Sequence, residues 1–329
     1  MPLPHATPTC CPEPLTRAPR IDLPAPATAG AATLTARPRS ANQHTRLTLP
    51  PPALQGALVA LISRDTQALT LNDAQRLSHF PASPLLCLSW YQGMQAQIHR
   101  RDGSADAAAH WQRLDPTVVV SGSQSHPTLS WAPSSGRGGM LCFTADVARA
   151  LFGLDPAALI DRFVPAHEVL PRSLWPLCQA LAAATDDAAT LTAVVQHLAP
   201  RWQALQGRPT ATPSLGQLGR HWVDRLAWQA HDWQRTHSRR QVERRVKAYS
   251  GRSLREWRAL VQTEGVFATA RARHEAGEPF QWAELALDEG FVDQAHLVRA
   301  AKRITGFAPG EFASRFEQDE SFWIYRLWV

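Results

Sequence analysis

The stretch WAELALDEGFVDQAHLVRAAKRITGFAPGEF, residues 282–312, determines the fold of the C-terminal part of the chain. Its apolar residues recur at helical spacing in two segments, one from Trp282 to Glu289 and one that begins after Asp293. Gly290 lies between the segments, and glycine supplies the positive φ that a helix end often needs. Asp293 is a suitable N-cap for the second segment, and Gly306 is a suitable stop. Two short helices joined by a tight turn predict a helix-turn-helix unit.

The second of these helices has one apolar face and one polar face. Its apolar stripe consists of Leu297, Ala300, Ala301 and Ile304. The major groove of DNA is wide enough to admit an α-helix, so the other face is a candidate DNA-binding surface. That face, with the leading end of the helix, comprises Gln294, Ala295, His296, Arg299, Lys302 and Arg303.

A second basic helix is predicted earlier in the chain, over SRRQVERRVKAY at residues 238–249. Val242, Val246 and Tyr249 form its apolar stripe, and Ser238 is a suitable N-cap. Residues 235–258 contain nine Lys or Arg and two Glu, a local charge of +7 in a chain whose net charge is +6. The face opposite the stripe carries Arg239, Arg240, Glu243, Arg244 and Lys247. Taken alone, this helix fits a solvated surface as well as a DNA groove, and the unit at 282–312 favours DNA.

The segment between the two basic helices has a length that matches DNA. A single helix from Ser253 to His274 would have about 20 residues and span about 30 Å. Successive major-groove faces repeat every ~34 Å. A rigid helix of this length would hold two groove-reading helices in adjacent groove segments.

Residues 217–318 resemble the DNA-binding domain of the AraC/XylS family of bacterial transcription regulators. The resemblance is strongest in the pattern A-x-x-x-G-F-x-D-Q-x-H-L-x-R-x-x-K-x-x-x-G-x-x-P-x-x-F, which runs from Ala286 to Phe312. The first unit is similar through Ser238, Arg240, Gln241, Glu243, Arg244 and Gly251, but it has Thr236 where the family usually has glycine and Val246 where it has a bulky aromatic residue. The resemblance implies two helix-turn-helix units joined by a helix, an all-α domain that binds promoter DNA as one module.

The chemistry of the side chains suggests which residues contact bases and which contact phosphates. Arg pairs bidentately with guanine, Gln pairs with adenine, and Glu accepts a hydrogen bond from cytosine. Base contacts are therefore expected from Arg240, Glu243 and Arg244 in the first unit and from His296 and Arg299, helped by Gln294, in the second. Phosphate contacts, which fix the position of a protein without reading sequence, are expected from Lys247, Lys302 and Arg303.

The N-terminal part has a different pattern. Residues 1–50 are rich in Pro, Ala and Thr, which predicts a disordered tail. Residues 51–200 read as short strands followed by helices, an α+β region, with 201–216 as a linker. Predicted elements include strands around 85–91 and 117–121 and a helix over 155–163, and Gly136, Gly138 and Gly139 are interpreted as a hairpin loop. Residues 143–161 are loosely similar to the sensor regions found beside such DNA-binding domains, which implies a domain that binds a small-molecule effector or forms a homodimer.

Motifs for other function classes are absent from the sequence. It contains no G-x-S-x-G, G-x-x-x-x-G-K-[ST], H-E-x-x-H or G-x-G-x-x-G motif, so neither an enzyme nor a cofactor is expected. Its five cysteines form no C-x-x-C pair, and His99, His110 and His126 lack close spacing, so no metal site is expected. No apolar run could span a membrane, and residues 1–30 lack the pattern of a secretory signal, which together with the cysteine usage predicts a cytoplasmic protein that does not bind membranes.

Two alternatives to a transcription regulator remain open. The first is a ligand-binding or protein-interaction module whose helical domain does not read DNA. The second is an enzyme with an appended DNA-binding domain, which would need a reactive cysteine.

The aromatic segment at 319–329 also has two interpretations. Phe322, Trp323, Tyr325 and Trp328 are expected either to fold back onto the protein or to contact a second copy or RNA polymerase.

Overall fold

The computed structural model describes residues 44–100, 110–114, 117–205, 215–250 and 252–328. Most of the predicted N-terminal tail, residues 1–43, and most of the predicted linker, residues 206–214, lie outside the described residues. A β-rich N-terminal region is followed by a helical C-terminal region, which confirms the predicted fold class.

The β region consists of two antiparallel sheets. Its strands are β1 (Thr45–Thr48), β2 (Ala60–Asp65), β3 (Leu77–Phe80), β4 (Leu86–Gln92), β5 (Gln97–Arg100), β6 (His110–Arg113), β7 (Val118–Ser121), β8 (Thr128–Trp131), β9 (Arg137–Phe143) and β10 (Phe163–Pro165). One sheet has the order β1-β2-β9-β4-β7-β10 and the other the order β3-β8-β5-β6.

The register of the larger sheet separates two faces. Leu61, Leu141, Leu88 and Val120 are successive cross-strand partners, and all four belong to the main hydrophobic core. The next row along the strands contains Ala60, Cys142, Cys87 and Ser121. Because side chains alternate between the faces of a sheet, the leucine row faces the core and the cysteine row faces the smaller sheet.

Three expectations for the N-terminal part are wrong. Residues 45–48 form the edge strand β1 instead of belonging to the tail, because Thr45–Thr48 hydrogen-bond along β2 in register. Gly138 and Gly139 lie inside β9 and not in a hairpin loop. Residues 155–163 form only a 3₁₀ turn at Ala157–Leu159, after which Phe163 enters β10 and pairs with β7.

Gly139 is small because the indole of Trp90 lies against it. A Cβ added at this position would lie 2.5 Å from Cζ2 of Trp90 and 2.7 Å from the carbonyl oxygen of Ile62. We therefore expect Gly139→Ala to lower the free energy of unfolding by about 1–3 kcal/mol, as overpacking does in well-packed cores. Chemical denaturation measures this loss. Gly310→Ala is the control, since a Cβ at Gly310 meets none of the described residues within 4 Å. Equal stability of the two variants would contradict the packing assigned to Trp90.

Eleven α-helices occur in the described residues. They are α1 (Ala145–Phe152), α2 (Ala166–Val169), α3 (Trp175–Ala183), α4 (Asp187–Ala204), α5 (Leu215–Trp233), α6 (Arg239–Ser250), α7 (Leu254–Glu275), α8 (Trp282–Asp288), α9 (Gln294–Thr305), α10 (Pro309–Phe316) and α11 (Trp323–Trp328). Because α4 continues through Pro200 to Ala204, the predicted linker begins inside a helix.

Helix α7 is the central element of the helical region. It contacts α5 and α6, which precede it in the sequence, and α8 and α9, which follow it. Trp257, near its N-terminal end, is fully buried, and its Nε1 donates a hydrogen bond to Oγ of Ser250 at 2.9 Å. Val266, further along, belongs to the cluster that holds α8 and α9 together. The 22 residues of α7 span about 33 Å, close to the length expected from the sequence.

The aromatic C-terminal segment folds back onto the protein. Phe322, Trp323 and Tyr325 are buried, and Nε1 of Trp323 donates to Oγ of Ser78 in β3 at 2.9 Å. Helix α11 contacts both β1 and β3. The first of the two interpretations of this segment is therefore confirmed for the described residues, and α11 closes one end of the space between the two sheets.

Candidate nucleic-acid interface

The first basic helix, α6, begins with a reciprocal cap. The backbone N–H of Ser238 donates to Oε1 of Gln241 at 2.9 Å, and the backbone N–H of Gln241 donates to Oγ of Ser238 at 3.4 Å. This is the capping-box arrangement in its Ser-x-x-Gln form. Val242 and Val246 are buried as predicted and belong to the main core. The cap and the stripe together fix the rotation of α6 about its axis.

That rotation exposes the predicted contact face. The exposed residues on it are Arg239, Arg240, Glu243, Arg244 and Lys247. Nζ of Lys247 lies 3.5 Å from Oε1 of Glu243, an i,i+4 ion pair on the helix surface. Such a pair contributes little stability, typically about 0.3–0.5 kcal/mol, so breaking it costs little.

The second basic helix, α9, is fixed by the turn that precedes it. Gly290 has a φ of +83°, in the left-handed region, and the chain then enters the N-cap Asp293. Oδ1 of Asp293 accepts from the backbone N–H of His296 at 2.6 Å. At the other end Gly306 has a φ of +90° and ends the helix. These are the positions at which the sequence predicts the start and the stop.

The predicted polar face of α9 is also outward. Leu297, Ala300, Ala301 and Ile304 are buried, whereas the exposed residues are Gln294, Ala295, Arg299, Lys302 and Arg303. His296 is half-buried, because its ring packs edge-on against Phe291 with centroids 5.2 Å apart. Among the described residues, no carboxylate lies within ion-pair distance of Arg299, Lys302 or Arg303, so their charges face solvent.

The β region holds the C-terminal end of α9. The backbone N–H of Ala82 donates to the carbonyl oxygen of Ile304 at 2.8 Å. The hydroxyl of Tyr325, in α11, donates to the carbonyl oxygen of Thr305 at 3.1 Å. The orphan carbonyls at this helix end are therefore satisfied from outside the helix-turn-helix unit.

The C-terminal end of α6 is held in the same way. The guanidinium of Arg149 lies over the ring of Tyr249, 5.1 Å from its centroid. Arg252, just beyond α6, donates through Nη2 to the carbonyl oxygen of Gln124 at 2.6 Å. Burial lowers the pKa of this guanidinium, and the carboxylates of Asp161 and Glu256 oppose that shift. The N-terminal region thus contacts both basic helices at the ends away from their caps.

Sequence reasoning missed one exposed apolar residue in this surface. Val292 lies immediately before the N-cap of α9 and leaves 78% of its surface exposed. An apolar side chain at this position would be able to contact the methyl group of thymine if α9 entered a major groove. The signal in the sequence was a valine outside every apolar stripe, directly before the N-cap Asp293.

Three thiols, those of Cys87, Cys142 and Cys178, lie among the described residues. Sγ of Cys87 and Sγ of Cys142 lie 3.7 Å apart, and the hydrogen bond between them together with burial raises the pKa of Cys142. Burial raises the pKa of Cys178 to about 11. A thiolate nucleophile needs a lowered pKa, so the surroundings of Cys142 and Cys178 do not favour one at either position.

The described residues contain no cluster of three or more His, Cys, Asp or Glu that could hold a metal ion. None of their helices combines the length and the apolar character needed to cross a bilayer.

Comparison with known proteins gives only distant similarity. No protein-family model and no curated protein sequence matches the chain. Among solved structures it is similar to an apo variant of ToxT from Vibrio cholerae strain SCE256, with 10% identity, a TM-score of 0.38 and coverage of 77% of this chain and 96% of that one. It is also similar to ToxT from Vibrio cholerae in a 1.65 Å P21 crystal form, with 9% identity, a TM-score of 0.35 and coverage of 82% of this chain and 98% of that one. A third similar structure is wild-type ToxT from Vibrio cholerae strain SCE256 with bound unsaturated fatty acid, with 11% identity, a TM-score of 0.33 and coverage of 74% of this chain and 94% of that one.

Proposed function

We propose that this chain is a sequence-specific DNA-binding transcription regulator whose helices α6 and α9 read adjacent major-groove segments. The observation that carries the proposal is the pair of capped, outward-facing basic helices attached to one rigid spacer, α7. Each has a buried apolar stripe on one side and exposed Arg or Lys on the other. The length of α7, about 33 Å, matches the ~34 Å between successive major-groove faces. The resemblance of residues 217–318 to the AraC/XylS DNA-binding domain implies the same function.

The proposed division of labour follows from exposure and position. Arg299 lies about 200° around α9 from the fully buried Leu297, so it points away from the core. Its planar fork suits the edge of a guanine. Lys302 and Arg303 lie one turn later, where they would follow the phosphate backbone. In α6, Arg240, Glu243 and Arg244 would read bases while Arg239 and Lys247 would neutralise phosphates.

The main alternative is a protein-interaction module. A protein interface usually has an apolar, poorly charged centre, whereas the exposed faces of α6 and α9 are mostly cationic. A selection of bound sequences from random double-stranded DNA, using the full chain, separates the two functions. Enrichment of a motif with two half-sites about 10 bp apart supports DNA reading, and no enrichment contradicts it.

Base reading by α9 predicts a specific effect of Arg299→Ala. We expect this change to weaken binding to the selected site by about 1–3 kcal/mol and to relax preference at one or two base pairs. Arg244→Ala should relax preference at a different place, about 10 bp away, because α6 would lie in the neighbouring groove segment. Site selection repeated on each variant measures both effects.

The matched control for these variants is Arg162→Ala. Arg162 is an exposed arginine of the β region whose Nη1 donates to the carbonyl oxygen of Ala158 at 3.2 Å. It should leave the selected motif unchanged. If Arg299→Ala also leaves every base preference unchanged, α9 does not read bases and the assignment is wrong.

The N-terminal region supplies the regulatory part of the proposal. It contacts the C-terminal ends of both α6 and α9 through Arg149, Gln124 and Ala82. A small shift of the β region would therefore change the orientation of the two helices relative to each other. An effector bound by that region would alter DNA affinity in this way, with no direct contact to DNA.

A further inference from the structure

A cavity of about 150 Å³ lies between the two sheets of the β region. Its walls come from β2, β4 and β9 on one side and from β3, β5 and β8 on the other, and Trp323 and Ile324 of α11 close one end. Most of its surface is apolar, with Ile62, Phe80, Ile98 and Met140 among the lining residues. An apolar cavity of this volume is large enough for a benzene ring.

Two arginines line this cavity with donors that find no acceptor among the described residues. Arg64, in β2, is only 9% exposed; its Nη1 donates to Ser78 at 3.3 Å and its Nη2 to Oε1 of Glu320 at 2.8 Å, but its Nε has no partner in the described part of the chain. Arg76 donates through Nε to the carbonyl oxygen of Leu71 at 3.1 Å, and its buried Nη1 likewise has no partner within the described ranges. Buried donors are almost always satisfied in native proteins, so two orphans in one cavity indicate a missing acceptor.

Both arginines are connected to the same segment of the cavity wall, residues 76–78. Nη1 of Arg64 donates to Oγ of Ser78, and the carbonyl oxygen of Arg76 accepts from the backbone N–H of Ala132 at 3.4 Å, which extends the pairing with β8 one residue beyond Leu77; Arg76 and Ser78 both line the cavity. Among the residues that line the cavity, two are cations and none is Asp or Glu. Glu320 balances only one of these charges, so the cavity has an excess of positive charge.

We propose that this cavity binds a small organic anion, with an apolar body about the size of one aromatic ring and one carboxylate that accepts from Nε of Arg64 and Nη1 of Arg76. The apolar body fills the space beside Ile62 and Ile98. Such a ligand satisfies both orphan donors and the excess charge at once, whereas a neutral apolar molecule satisfies neither.

The ligand would act on the DNA-binding region through α11. This role as an effector rests on the proposed function. Arg64 also pairs with Glu320 and lies over the ring of Trp323, 5.0 Å from its centroid. A bound carboxylate would compete with Glu320 for this guanidinium. Because Tyr325 in the same segment holds the last carbonyl of α9, occupancy of the cavity changes the support of a groove-reading helix.

Three probes with the same body and different charge test the proposal. Calorimetric titration of the full chain, without DNA, compares 3-phenylpropanoate, 3-phenylpropan-1-ol and 3-phenylpropylamine. We expect the carboxylate to bind at least tenfold more tightly than the alcohol, and the amine to bind more weakly than both. Equal affinity of the acid and the alcohol, or no binding of the acid, overturns the proposal.

Two variants locate the site. Arg76→Gln should reduce the preference for the acid over the alcohol to within about threefold, and a ratio of affinities is insensitive to partial loss of folded protein. Ser130→Phe should fill the cavity and weaken the acid and the alcohol alike by at least tenfold. Arg162→Gln, which removes an exposed charge outside the cavity, should change nothing. An unchanged preference in Arg76→Gln shows that the anion binds elsewhere.

The same preparations separate this proposal from the proposed function. A gel shift on random and selected DNA reports on α6 and α9 without any probe. Probe binding without DNA binding supports the anion site and contradicts the proposed function as a transcription regulator. DNA binding without probe binding supports the regulator and contradicts the anion site.

Discussion

Replacing Leu297 by alanine is expected to lower the free energy of unfolding by about 2–5 kcal/mol, the range for removing a fully buried leucine side chain. Leu297 has no exposed surface and packs in a cluster with Val266, Leu285, Ala286 and Phe291. Its side chain therefore joins α7, α8 and α9. Urea denaturation of the full chain, followed by tryptophan fluorescence and circular dichroism, measures the change.

Arg299→Ala is the matched control on the same helix. Its side chain is exposed, so its removal should change stability by no more than about 0.5 kcal/mol. The two variants are thus expected to separate stability from DNA reading. Leu297→Ala should lower the free energy of unfolding, and Arg299→Ala should relax the base preference. Comparable destabilisation by both would mean that α9 is rotated about its axis and that its contact face is wrong.

Salt is expected to weaken DNA binding by about three orders of magnitude between 50 and 200 mM. Each phosphate neutralised by Lys or Arg contributes about −0.9 to the slope of log K against log salt, and about six contacts give a slope near −5. The exposed cations of α6 and α9 are sufficient for that number. Fluorescence anisotropy of a labelled duplex over a series of salt concentrations gives the slope.

Single variants assign the contribution of each cation to that slope. Arg303→Ala should flatten it by about 1 and weaken selected and random DNA equally, as removal of a phosphate contact does. Arg162→Ala should leave the slope unchanged. A wild-type slope flatter than about −2 would contradict docking through both helices.

The helices of the C-terminal region were predictable because their signals are local. Asp293 and Gly306 fix the ends of α9, and the four-residue stripe from Leu297 to Ile304 fixes its rotation. The exposed faces of α6 and α9 follow from the same periodicity. The candidate contact residues are exposed as expected, except for the half-buried His296, and their contacts with DNA remain a prediction.

The β region was less predictable. Strands β4 and β7 coincide with apolar runs, but β3 and β8 have only four residues each and mix polar with apolar ones, and β10 has only three residues. In β8 the polar Thr128 and Ser130 line the cavity, so the alternation that marks a strand extends over only four residues. Arg64 appeared in the sequence only as a charge, and its burial depends on Ser78, Glu320 and Trp323, which no local pattern connects to it.

The closure of the sandwich by α11 has a consequence for how the chain is made. Ser78 and Trp323 are 245 residues apart, so at 5–20 residues per second a ribosome needs about 12–50 s to produce the second after the first. During that interval the nascent β region exposes Ile62 and Phe80 at an open, apolar mouth. A chaperone that shields this mouth, or slower aggregation at low temperature, would favour recovery of the folded protein. A tag or a truncation that disturbs residues 320–328 would leave the nascent chain in that vulnerable state.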